Sequence, residues 1–134
     1  MDNIAATNRM AKLFIATGFA YFSAATLLLA LNISRLIAVQ NDPIFVMDLY
    51  GFVAMLIFGL SYIFVPGLSH TRFAWYRSIE AEYVIMNIGV IATVLPLLAR
   101  AFVPVSVAGV ALLLLAVLMH AINVFRIMAP KKGP

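Results

Sequence analysis

Apolar residues run in four long stretches, and the polar residues fall between them in short groups. The apolar stretches cover about residues 13–34, 44–68, 83–99 and 103–125. Each is close to the roughly 20 residues that a helix needs to cross the hydrocarbon of a bilayer. The breaks carry turn chemistry. Asn41-Asp42-Pro43 is a turn whose proline is set to open a helix, and Pro66-Gly67 is expected to close the second one. Residues 69–82 are polar and hold His70, Arg72, Arg77, Glu80 and Glu82. Ser78, followed by Glu80 and Glu82, reads as a helix start with acids in its first turn. The third helix is therefore expected to begin outside the hydrocarbon. Arg100 and Pro104 mark the last tight turn, and Pro96 is expected to bend the third helix near its end. The pattern predicts an all-α integral membrane four-helix bundle, a single transmembrane domain over residues 1–134. Its helices are expected at about 13–34, 44–68, 79–99 and 103–126. The first apolar stretch exceeds the roughly 7–15 residues of a signal-peptide core, so it is read as a retained helix.

Composition sharpens this picture. Of 134 residues, 65% are hydrophobic and 10% charged, against about 25% charged in soluble domains. A soluble fold of this size cannot hide so much apolar surface, which excludes a water-soluble enzyme and a disordered chain. There are no cysteines, so disulfides, thiolate metal sites, iron–sulfur clusters and cysteine nucleophiles are excluded. The net charge of +4 reads as a topology signal rather than a nucleic-acid footprint. Seven of the nine Lys/Arg residues (Arg9, Lys12, Arg72, Arg77, Arg126, Lys131, Lys132) fall on one side of the four predicted spans, and Arg35 and Arg100 on the other. That asymmetry predicts that both the N- and C-termini are cytoplasmic. Trp75, Tyr76 and Tyr83 suit an aromatic belt on that side. The expected setting is the inner or plasma membrane of a prokaryote, with lipid and other integral membrane subunits as partners and no nucleic acid.

Polar and small residues at helical spacing define the expected inward faces. They are Thr17, Tyr21, Ala24, Leu28, Asn32 and Arg35 on the first helix, and Asp48, Gly51, Met55, Gly59 and Tyr62 on the second. The third offers Asn87 and Gly89, and the fourth Ser106, Gly109, Leu113, Ala116, His120 and Asn123. Asp48 lies about one turn inside the second helix, where an ionised carboxylate needs a partner or water. Arg35 and Arg100 on the same side are its expected partners in a structural ion pair, with proton handling or ligand binding as the alternative. His120 lies six residues before Arg126, about 9 Å inside that boundary at 1.5 Å per residue. Asn87, Tyr62 and Thr17 fall at similar depth. The leading reading of this layer is a structural histidine hydrogen-bonded to Asn, Tyr or backbone; a quinone headgroup, a heme edge or a proton-carrying water is the alternative. His70 and His120 are the two histidines. Their depths differ, which disfavours a bis-histidine heme. Zinc motifs, a Ser/His/Asp triad, a P-loop and a GxGxxG are absent, so no catalytic or metal residue is assigned.

The run Leu49-Tyr50-Gly51-Phe52-Val53-Ala54-Met55-Leu56-Ile57-Phe58-Gly59-Leu60-Ser61-Tyr62, followed by Pro66, resembles a helix of the heme-copper oxidase subunit I-like superfamily. The likeness is to its short four-helix members and to the nitric-oxide-response heme membrane proteins. Asn87-Ile88-Gly89 matches a second, shorter piece, and the match as a whole covers about 45 of 134 residues. Members of that superfamily carry a histidine just before the Gly-Phe-Val run and often another after the Tyr. Here Asp48 stands in the first region and Ile63 follows Tyr62, so those heme ligands are missing. The resemblance implies a respiratory-membrane setting and a degenerate scaffold, not oxygen or nitric-oxide reduction by this chain.

The leading expectation is a small noncatalytic integral membrane subunit of a larger respiratory or electron-transfer complex. The alternative is a protein that binds heme b or quinone through His120, Asn87 and Tyr62, with neither cofactor favoured. A small transporter is the third reading, and the lack of charge at mid-membrane counts against it. Catalysis by the chain alone is not expected.

Overall fold

The computed structural model describes residues 3–38, 41–69, 76–99 and 103–129. Among the described residues all regular structure is helical. Helix α1 spans Asn3–Ile33. Helix α2 runs without interruption over residues 41–69, as an α-helical Asn41–Val46, a π-helical Met47–Ala54 and an α-helical Met55–Ser69. Helix α3 spans Tyr76–Ala99 and α4 spans Val103–Met128. All four are long and apolar enough to cross a membrane. The chain is a multi-pass integral membrane protein of the all-α, four-helix-bundle class.

The boundaries differ from the sequence expectation mainly at the start of the chain. Helix α1 begins ten residues before position 13, because Ala6, Thr7, Met10 and Ala11 are buried and nothing in residues 3–12 breaks a helix. Helix α2 does not end at Pro66 but carries it and continues to Ser69. A proline removes one backbone donor, and the final turn of α2 tolerates that loss. Helix α3 starts at Tyr76, within the polar stretch and three residues before position 79, and Glu82 lies on its buried face.

Helix α1 packs along α2, and α3 along α4; α2 also meets α3 and α4, and α1 meets α3. The starts of α1 and α3 and the ends of α2 and α4 share one end of the bundle, here termed the terminal end. Arg9 and Tyr76 line one groove there, and Tyr62 reaches both Glu82 and Asn123. Two glycines allow the closest backbone approaches. A Cβ on Gly59 would lie 2.8 Å from the Ala11 carbonyl oxygen, and one on Gly109 would lie 2.6 Å from the Thr93 nitrogen. The face of α1 that carries Thr17, Tyr21, Ala24 and Leu28 is only half-buried, whereas Ala11, Phe14 and Ala25 are completely buried. The tightest packing of α1 is against α2, and the polar stripe is turned toward α3. Phe14 sits where three helices meet, with ring centroids 6.1 Å from Phe58, 6.0 Å from Tyr62 and 5.1 Å from Tyr83.

The π-helical segment follows from residue spacing. Pro43, Met47, Gly51 and Met55 are all buried and recur every fourth residue. On a straight α-helix a four-residue step overshoots a full turn by about 40°. Three such steps carry a side chain about 120° around, onto the outer face. The wider i→i+5 turns of a π-helix take up that excess and keep all four positions inside. Outside, large apolar side chains stand free, with Leu68 82% and Val103 74% exposed. In water such a surface invites association; in a bilayer it faces acyl chains.

Candidate functional site

Near the terminal end, five polar side chains from α2, α3 and α4 converge inside the bundle. Glu82 on α3 is completely buried, and His120 on α4 has a side chain 11% exposed. The His120 Nδ1 lies 3.0 Å from Glu82 Oε1. The other carboxylate oxygen, Oε2, accepts from the Tyr62 hydroxyl on α2 and, at 2.8 Å, from the Asn123 Nδ2. Asn123 Nδ2 also donates to the Tyr62 oxygen at 3.2 Å. On the far side of the imidazole, Nε2 lies 3.0 Å from the Ser61 Oγ. Phe58, one turn before Tyr62, stacks on the His120 ring at 3.8 Å between centroids and 7° between planes. The network reaches outward through Ser78, half-buried near the start of α3, whose hydroxyl donates to Asn123 Oδ1 at 2.8 Å.

Helical periodicity brings these groups together. Tyr62 and Ser61 flank one point of α2, with Phe58 four residues before Tyr62. His120 and Asn123 are three apart on the inward stripe of α4. Glu82 lies on the buried face of α3 with Ile79, Met86 and Gly89, at steps of three, four and three.

The Ser61 hydroxyl lies within hydrogen-bond distance of both the Phe58 carbonyl, at 2.9 Å, and His120 Nε2. Its one proton serves one of them, and the imidazole tautomer follows from which. The Tyr62 hydroxyl donates to Glu82. Both ring nitrogens and both carboxylate oxygens therefore have protein partners, which offsets the cost of polar groups inside a membrane.

A second set of polar bonds joins α1 to α3. The Thr17 Oγ1 and Tyr83 hydroxyl are 2.7 Å apart, and the Tyr21 hydroxyl donates to Asn87 Oδ1 at 3.0 Å. Asn87 Nδ2 donates to the Tyr83 carbonyl at 2.8 Å. Of the residues expected to share a layer with His120, Tyr62 is in contact with it, while Thr17 and Asn87 belong to this second set. Farther from the terminal end, Ser106 Oγ on α4 donates to the Thr93 carbonyl on α3 at 3.4 Å.

Asp48 stands apart. It lies in the π-helical segment, half-buried, and among the described residues its Oδ1 is shielded without a hydrogen-bond partner. Arg35 is exposed in the turn after α1, with φ of 57°, and forms no ion pair with Asp48. Arg100 and His70 lie outside the described residues. Among the described residues no three His, Cys, Asp or Glu side chains converge to hold a metal ion.

Glu82 is the functional candidate that sequence reasoning assigned to a solvated helix start. Its spacing from Ile79 and Met86 was the available signal, outweighed by the polar residues on either side. No family model, curated protein or solved structure matches the chain.

Proposed function

We propose that this chain is a small, noncatalytic integral membrane subunit of a larger membrane assembly, with electron transfer in a prokaryotic inner or plasma membrane as its setting. The observation that carries this reading is the closed polar cluster. Both nitrogens of His120 and both carboxylate oxygens of Glu82 are bonded to neighbouring helices. A heme iron or a quinone carbonyl at His120 would first have to displace Ser61 or Glu82. The polar chemistry of the bundle thus serves to lock three helices together, and the exposed apolar faces are left for lipid and partner helices. The resemblance of residues 49–62 to a heme-copper oxidase helix supplies the electron-transfer setting. A transporter reading has less support, because the Glu82 carboxylate is already bonded to Tyr62, His120 and Asn123.

The test is purification in mild detergent, with mass spectrometry of what comes with the chain and an absorption spectrum of the isolated protein. Stoichiometric membrane partners and no heme band are expected, and His120→Gln should leave copurification intact. One heme or one extractable quinone per chain, lost in His120→Gln, would overturn the reading in favour of a cofactor-binding protein. Both termini are proposed to be cytoplasmic. Gly133→Cys and Asn41→Cys should then be labelled from opposite sides by an impermeant maleimide, and same-side labelling would sink that topology.

A further inference from the structure

At the terminal end, α1 presents Arg9 and Lys12, both exposed and one turn apart. Neither forms an ion pair among the described residues. Lys12 directly precedes the apolar stretch that opens at Leu13, so both cations sit at headgroup level if α1 crosses the bilayer. Beside them lie two grooves that share Arg9 and Leu13. One, of about 530 Å³, follows α1 past Asn8, Lys12 and Ala16. The other, of about 380 Å³, runs between α1 and α3 past Met10, Tyr83 and Val84. Among the described residues the only acid on these walls is Glu80, whose carboxylate is hydrogen-bonded by Tyr76.

We propose that these grooves form a binding site for one acidic phospholipid. The Arg9 guanidinium offers a planar pair of donors to a phosphate, and Lys12 adds a second positive charge from the next turn. An acyl chain then lies along Leu13, Ala16 and Val84, where the small side chain of Ala16 leaves room. Among the described residues of the walls, Arg9 and Lys12 against Glu80 leave one net positive charge, which suits a lipid with one net negative charge. A zwitterionic lipid brings its own ammonium group and gains less from the pair. The inference depends on the chain crossing a membrane and not on any partner subunit.

The full chain in nanodiscs of phosphatidylcholine mixed with phosphatidylglycerol, released for native mass spectrometry, tests it. One retained phosphatidylglycerol is expected, in preference to phosphatidylcholine. Arg9→Gln and Lys12→Gln should each weaken retention about fivefold, the contribution of one cation near an anionic surface. Lys12→Arg should keep it. Ala16→Phe, which fills the apolar groove at an exposed position, should reduce retention with both cations intact. Arg77→Gln, which removes an exposed cation at the same end but outside the grooves, should change nothing. Circular dichroism checks that each variant is helical. Equal losses in Arg77→Gln and Arg9→Gln would reduce the effect to diffuse surface attraction and overturn the site. Displacement of the lipid by inorganic phosphate, with no effect of Ala16→Phe, would make it a phosphate site and overturn the lipid assignment.

Discussion

Glu82 and Asp48 are both carboxylates inside a membrane bundle, and their surroundings differ sharply. Glu82 has no exposed surface and receives partners from two other helices: Tyr62 from α2, and His120 and Asn123 from α4. Asp48 is half-buried, yet its Oδ1 finds no donor among the described residues. Depth does not explain the contrast, because the more deeply buried group is the better satisfied. What differs is convergence. Three helices cross at the level of Glu82 with donors already on their inner faces. At the level of Asp48 the nearest inward positions of its own helix are Met47 and Gly51, which offer no side-chain donor. A carboxylate in such a bundle is stabilised by the number of helices that turn donors toward it.

The largest effect should come from removing the centre of the satisfied cluster. Glu82→Ala is expected to destabilise the bundle by about 3–5 kcal/mol, the usual cost of leaving a buried partner unmatched, read from denaturant unfolding in detergent followed by circular dichroism. A loss below about 1 kcal/mol would put Glu82 in the class of surface charges and erase the contrast with Asp48. Tyr62→Phe removes one donor to the carboxylate and should cost about 1.5–3 kcal/mol in the same assay. Combining Glu82→Ala with Tyr62→Phe should cost less than the two separately, by about 0.5–3 kcal/mol; strict additivity would show that the two side chains do not act together. Asp48→Asn should have the smallest effect, within about 0.5 kcal/mol, because the unpartnered oxygen has no bond to lose. If Asp48→Asn instead proves as damaging as Glu82→Ala, then Asp48 has a charged partner, and Arg100 is the first residue to substitute.

The fold was readable from the sequence to a greater depth than the site. Four apolar stretches, separated by Asn41-Asp42-Pro43, residues 69–82 and Arg100, translate directly into four spanning helices, since nothing but a helix satisfies the backbone of a single apolar segment in lipid. Inward faces on α2 and α4 were equally plain, because Gly59, Tyr62, Gly109 and His120 are polar or small against an apolar background. Glu82 was hidden by its neighbours. Arg77, Ser78 and Glu80 make the start of α3 look solvated, and only the approach of α2 and α4 to one face of that start encloses position 82. The partner of His120 is likewise a property of crossing helices, which a linear pattern does not contain. Thr17 and Asn87, expected in one layer with His120, instead bond across α1 and α3, so position along each helix did not fix which neighbour a side chain faces.

The underwound stretch of α2 has a consequence for how this chain tolerates changes in length. Eight residues there, Met47–Ala54, complete their turns more slowly than an α-helix does, so the stretch stores a small surplus of chain. A one-residue deletion between 47 and 54 can draw on that surplus: the segment tightens toward ordinary α-helix, while Ile44 at one end and Tyr62 at the other go on facing the core. A one-residue insertion has no such reserve and rotates Tyr62 away from Glu82. Loss and gain of a single residue at the same place should therefore be unequal events, the first absorbed within two turns and the second felt at the far end of the helix.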